Sequence, residues 1–109
     1  MLTVSEFHAL LNQGPLILDG PTGSNLMKRG MPRGVCTEQW ICDHPQALIS
    51  LQREYVAAGS DIIYAPTFSA NRHSLARYGL ETRIGELNRR LVALSREAAG
   101  DRALVAGDM

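Results

Sequence analysis

The hydrophobic pattern changes period along the chain. Continuous apolar runs occur at Leu16-Ile17-Leu18, at Asp61-Ile62-Ile63-Tyr64-Ala65 behind its leading acid, and at Ala103-Leu104-Val105-Ala106. Short runs of this kind predict strands buried on both faces. Between them the period becomes helical. Leu48, Leu51, Tyr55 and Ala58 recur at helical spacing, and Ile84, Leu87, Leu91, Leu94 and Ala98 form a stripe over about four turns. Gly59 and Gly100 stop these two helices. Asp43 is placed to cap the first, with Gln46 as its capping-box partner and Pro45 in the first turn. Shorter helical patterns cover Ser5 to Asn12, where Phe7, Leu10 and Leu11 share a face, then Ser24 to Arg29, and a turn around Asn71 to Tyr78 closed by Gly79. Gly30 to His44, punctuated by Gly30, Pro32 and Gly34, reads as a long loop with Trp40 packed beneath it.

Strand, helix, strand, helix, strand is the order of an α/β chain with a parallel sheet and right-handed crossovers. A doubly wound sheet and part of a (β/α)8 barrel both fit, and in both the ligand site lies at the carboxyl ends of the strands. Asp19, Thr67 and Asp108 each follow a strand end and so converge on one site.

Composition narrows the partners. The chain has 109 residues, 11 basic and 11 acidic side chains and no net charge, so it carries no electrostatic signature of nucleic acid or an acidic membrane surface as partner. No apolar run is long enough to span a bilayer, and the first residues do not resemble a secretory signal. The cytoplasm is the default compartment. Cys36 and Cys42 are too few for a disulfide scaffold and are not at zinc-knuckle spacing. His8, His44 and His73 are scattered.

The candidate chemistry lies in "ILDGPTGSNLMKRG", Ile17 to Gly30. Asp19 at a strand end can hold a substrate ammonium; equally, it can cap the following turn. The amides of Gly20, Thr22, Gly23 and Ser24 offer donors for a carboxylate. The glycine spacing matches neither a dinucleotide fingerprint nor a phosphate-binding P-loop. Thr67 and Asn71 flank "TFSAN", where turn and cap chemistry is the alternative to ligand contact. Arg83, Glu86, Arg89, Arg90, Arg96 and Glu97 read as the solvated side of the last helix.

These stretches together resemble the homocysteine S-methyltransferase family. "LILDGPTGSNLMKRG" is similar to its first strand and loop, "HPQALISLQREYVAAGSDIIYAPTFSANRHSLARYGLE" to its second unit, and "ALVAGDM" to its third strand. The pattern is nearest to the homocysteine-binding barrel of cobalamin-dependent methionine synthase, with betaine–homocysteine methyltransferase next; Ser69, where the betaine branch has tyrosine, favours the first.

The resemblance implies a (β/α)8 barrel of which residues 1–109 are the amino-terminal part, a single truncated domain holding the first three parallel βα units. It implies transfer of a methyl group to the thiol of homocysteine, giving methionine, or to a related thiol. A zinc ion on three cysteine thiolates activates the sulfur, and the donor is a methyl-corrinoid, a sulfonium or an ammonium compound. It carries over Asp19 as the ligand of the homocysteine amino group, Gly20, Thr22 and Gly23 as the carboxylate site, and Thr67 and Asn71 as floor residues.

Two departures are expected to matter. Pro21 has no N–H to offer, and nothing in the chain matches the family's zinc cysteines. The chain by itself is therefore expected to be inactive. A barrel takes about 250 residues, so three units would leave open sheet edges and self-associate. The alternative from another class is a small non-catalytic α/β binding or assembly module that keeps the amino-acid cradle.

Overall fold

The computed structural model describes residues 2–109. Helix α1 spans Val4–Asn12. Its start is a side-chain cap not foreseen from the pattern: the Thr3 hydroxyl accepts from the Glu6 amide at 3.1 Å and donates to the Glu6 carboxylate at 2.9 Å. Phe7 and Leu10 are half-buried while Leu11 stays exposed. Helix α2 is the short segment Gly23–Lys28.

The predicted loop from Gly30 to His44 contains a helix. Residues Thr37–Asp43 form α3, which buries Ile41 completely. The glycines and proline that signalled a loop all lie before Thr37, so they break the chain only there. Trp40, expected beneath a loop, sits on α3 and stacks on His44, with ring centroids 4.3 Å apart. Asp43 does not cap the next helix, because it is the last residue of α3. Helix α4, Pro45–Ala58, begins instead after His44, with no side-chain cap and with proline in its first turn.

The buried face of α4 is Leu48, Ile49, Leu51, Gln52 and Val56. Ala58 is exposed and Tyr55 only half-buried, so the expected stripe is rotated at its carboxyl end. Gly59 closes the helix with a left-handed φ of 115°, a conformation that favours glycine.

Strand β1, Ile62–Tyr64, pairs in parallel with β2, Leu104–Ala106, in the register Ile62 to Leu104. Helix α5, Arg72–Ala76, and a 3₁₀ turn at Glu81–Arg83 lead into α6, Ile84–Ala99. On α6 the predicted stripe holds: Leu87, Leu91, Leu94 and Ala98 are buried.

The first apolar run is a correction. Leu16 to Leu18 forms no strand of its own; Leu18 makes a single parallel bridge to Ile62. Nor is the run buried on both faces, since Ile17 is 59% and Leu18 48% exposed. Its backbone is still tied to the sheet edge. Asp61 and Ile62 amides donate to the Ile17 carbonyl at 2.7 and 3.1 Å, and the Asp19 amide donates to the Ile62 carbonyl at 3.0 Å.

Alternation along the strands sorts the layers. Ile63 and Val105 turn toward α4 and α6 and join their core. Ile62, Tyr64, Leu104 and Ala106 turn the other way, into a groove of about 660 Å³ shared with Leu18 and Phe7. The result is a small α/β unit with α4 and α6 over one sheet face.

Candidate functional site

The carboxyl ends of the parallel segments open on a cleft of about 400 Å³. Asp19, Gly20, Thr22 and Gly23 line it, as do Glu38 and Asp108. Three carboxylates therefore face one cleft whose lining contains no lysine, arginine or histidine.

Asp19 is held by the sheet. Its side chain accepts from the Tyr64 amide at 3.2 Å, while its own amide bonds Ile62. Burial pushes its carboxyl above the usual range, and the Asp108 charge adds to this; the Tyr64 and Asp19 amides oppose it. An acid made uncomfortable by burial beside another acid gains from a cationic ligand group.

The Gly20–Gly23 loop is fixed from behind by Tyr55. A Cβ on Gly20 would stand 2.8 Å from the Tyr55 hydroxyl, so any side chain there collides. Pro21 contributes no N–H to the cleft, as expected from the residue alone.

Thr67 and Asn71 do not line the cleft. Thr67 is buried, and its hydroxyl is engaged with the Asp108 backbone. Asn71 is the N-cap of α5: its Oδ1 accepts from the Ser74 amide at 2.9 Å and its Nδ2 donates to the Phe68 carbonyl at 3.3 Å. Turn and cap chemistry accounts for the contacts of both. Of the three strand-end residues expected to converge, Asp19 and Asp108 share the cleft, and Thr67 braces Asp108.

Glu38 was missed because it falls in the segment read as loop. It is only 6% exposed, and it accepts a hydrogen bond from the Cys36 thiol at 3.3 Å. Tyr55 was read only as part of a core stripe. No spacing in the sequence announces either role, since each depends on residues distant along the chain.

The residues present do not fit a zinc ion. Among the described residues no three His, Cys, Asp or Glu side chains group closely enough to hold a metal. Burial pushes the Cys36 and Cys42 thiols up, with Glu38 adding to the rise at Cys36 while Arg90 and Arg83 oppose it at Cys42. Zinc takes thiolates, and burial disfavours that form at both sulfurs.

Comparison with known proteins places this geometry. The family model for homocysteine S-methyltransferase matches residues 16–109. The chain is 34% identical over 100 residues to S-methylmethionine–homocysteine S-methyltransferase BHMT2 of Pongo abelii, covering 89% of this chain and 26% of that protein. It is 37% identical over 103 residues to betaine–homocysteine S-methyltransferase 1 of Danio rerio, with the same shares covered. Methionine synthase of Mycobacterium tuberculosis is 29% identical over 98 residues, with 84% of this chain and 8% of that protein covered. These percentages do not rank the branches in the order that Ser69 favours. The metallated form of the homocysteine methyltransferase MmuM from Escherichia coli superposes with a TM-score of 0.78 at 23% identity, covering 93% of this chain and 40% of that one. The chain thus spans about a quarter of the length of the first two relatives. Among the described residues no helix is long and apolar enough to cross a membrane. With the family model matching from the first apolar run to the last residue, the chain belongs to the homocysteine S-methyltransferase family.

Proposed function

We propose that residues 1–109 are the first three βα units of a (β/α)8 barrel that methylates the thiol of homocysteine, and that the cleft holds the amino-acid end of that substrate. The supporting observation is the meeting of Asp19 with the Gly20–Gly23 loop at the strand ends. Asp19 takes the ammonium, and the amides of Gly20, Thr22 and Gly23 take the carboxylate. Thr67 and Asn71 serve the cleft floor indirectly, the one by bracing Asp108 and the other by starting α5.

The thiol-activating zinc of the family belongs, in this reading, to residues other than these, and the 109 residues alone transfer no methyl group. The donor is a sulfonium, a quaternary ammonium or a methyl-corrinoid. The compartment is the cytoplasm.

Calorimetric titration of L-homocysteine tests the reading. Asp19→Asn removes one charge-assisted hydrogen bond, worth about 1.5–3 kcal/mol, and weakens binding roughly ten- to a hundred-fold. Unchanged affinity with a lower melting temperature would show that Asp19 is only a turn cap.

A second reading is a non-catalytic binding module with the same cleft. It is favoured by Cys36, whose buried thiol is engaged in donating to the Glu38 carboxylate. The gene's reading frame after Met109 separates the two: a downstream Gly-Gly-Cys-Cys stretch supports the enzyme, and a stop codon supports the module.

A further inference from the structure

Behind the cleft loop, three groups form a closed ring of hydrogen bonds. The Tyr55 hydroxyl donates to the Pro21 carbonyl at 2.9 Å. The Asn25 amide donates to the same carbonyl at 2.8 Å and to the Tyr55 oxygen at 3.1 Å. The donors and acceptors balance: both amide hydrogens of Asn25, the one phenolic hydrogen and both lone pairs of the carbonyl are used. Neither Tyr55 nor Asn25 lines the cleft.

The ring is anchored to the core. Tyr55 rides on α4, whose Leu48, Ile49 and Val56 are buried, and its ring packs against that cluster. The phenol's position is thus set by packing rather than by the loop. Gly20 has a φ outside the left-handed region, so backbone freedom does not explain the glycine. Its hydrogen leaves room for the phenol, whose atoms would lie 2.8–3.1 Å from a Cβ. Pro21, in turn, turns only its carbonyl to the clamp and has no amide to turn to the ligand.

We propose that Tyr55 is a positioning residue, which together with Asn25 holds the Pro21 carbonyl and so aims the Gly20, Thr22 and Gly23 amides into the cleft. The use of those amides for a carboxylate rests on the homocysteine reading above; the clamp itself does not.

Tyr55→Phe tests it, because the ring and its packing stay and only the hydroxyl goes. In the unliganded chain, the NMR amide signals of Thr22, Gly23 and Ser24 shift while those of α6 stay in place; unmoved loop signals overturn the clamp. Calorimetry then compares L-homocysteine with 3-aminopropane-1-thiol, which lacks the carboxylate. The native preference for homocysteine narrows by about three- to ten-fold, the share of one hydrogen bond, and affinity for the aminothiol is kept. Equal weakening of both ligands, or an unaltered ratio, overturns a positioning role. If the native chain binds neither ligand, the homocysteine reading fails and the amide shifts decide the clamp alone.

Discussion

The Thr67 hydroxyl donates to the Asp108 carbonyl at 2.8 Å and accepts from the Asp108 amide at 3.0 Å. One buried side chain thereby supplies the pairing that a further strand residue would have made. It extends the β1–β2 ladder past its last backbone bond, from the Ala65 amide to the Ala106 carbonyl. Thr67→Val keeps the shape and strands both Asp108 groups. Urea denaturation is expected to show a loss of about 1–3 kcal/mol. Thr67→Ser, which retains both bonds, is expected to lose less than half of that. Equal losses for the two variants would assign the effect to the methyl group instead.

The pH dependence of stability carries the signature of Asp19. Burial raises its carboxyl above the ordinary value, with the Asp108 charge adding to the rise. The folded state therefore holds its proton to higher pH than the unfolded chain does. Stability falls as pH rises through the interval between the ordinary and the raised value, and stays lower above it. Asp19→Asn, which can still accept from the Tyr64 amide, is expected to flatten that part of the curve and to melt no lower than the native chain at pH 7. Thermal melts from pH 3 to 7 check this. An Asn variant that follows the native curve unchanged would exclude Asp19 as its source.

Cys36 and Cys42 are expected to behave as inert thiols. Burial raises both thiols above their ordinary value, so disulfide exchange with Ellman's reagent at pH 7 should run slower than for free cysteine. After dialysis, metal analysis should find well below one zinc per chain. Stoichiometric zinc with sulfur coordination would promote both residues to ligands.

The sheet face that turns away from α4 and α6 carries Leu18, Ile62, Tyr64 and Leu104 over a groove of about 660 Å³. The Leu18 segment and β2 are the outer members of the pairing. For the 109 residues in isolation, open edges and an apolar face favour self-association. Sedimentation at micromolar concentration should give species heavier than 11.9 kDa. A monodisperse monomer with one sharp melt and no binding of apolar dye would show that the unit closes its core unaided.

Much of this architecture is legible in the residues. The α6 stripe and the glycine stop of α4 are local effects, set within a turn or two of chain, and both appear as the pattern predicts. The misreadings share one cause. The helix at Thr37–Asp43 has a weak period of its own; Ile41 and half-buried Trp40 pack it against the core. Leu16 to Leu18 has the composition of a buried strand, yet burial requires neighbours on both sides, and only Ile62 bridges it.

The sequence by itself determined the long helices α4 and α6, the two paired strands and that Asp19 and Asp108 follow apolar runs, because periodicity and strand ends are properties of neighbouring residues. It also carried the family resemblance, which depends on motif order along nearly the whole chain. Only the tertiary structure decided what meets in the cleft. Glu38 reaches it because α3 folds against α4 and α6, Thr67 is turned from ligand candidate into a brace by a partner 41 residues away, and Tyr55 grips a carbonyl 34 residues before it. Hydrogen bonds across such separations are fixed by packing, which brings the residues within reach, and no spacing in the sequence encodes that distance.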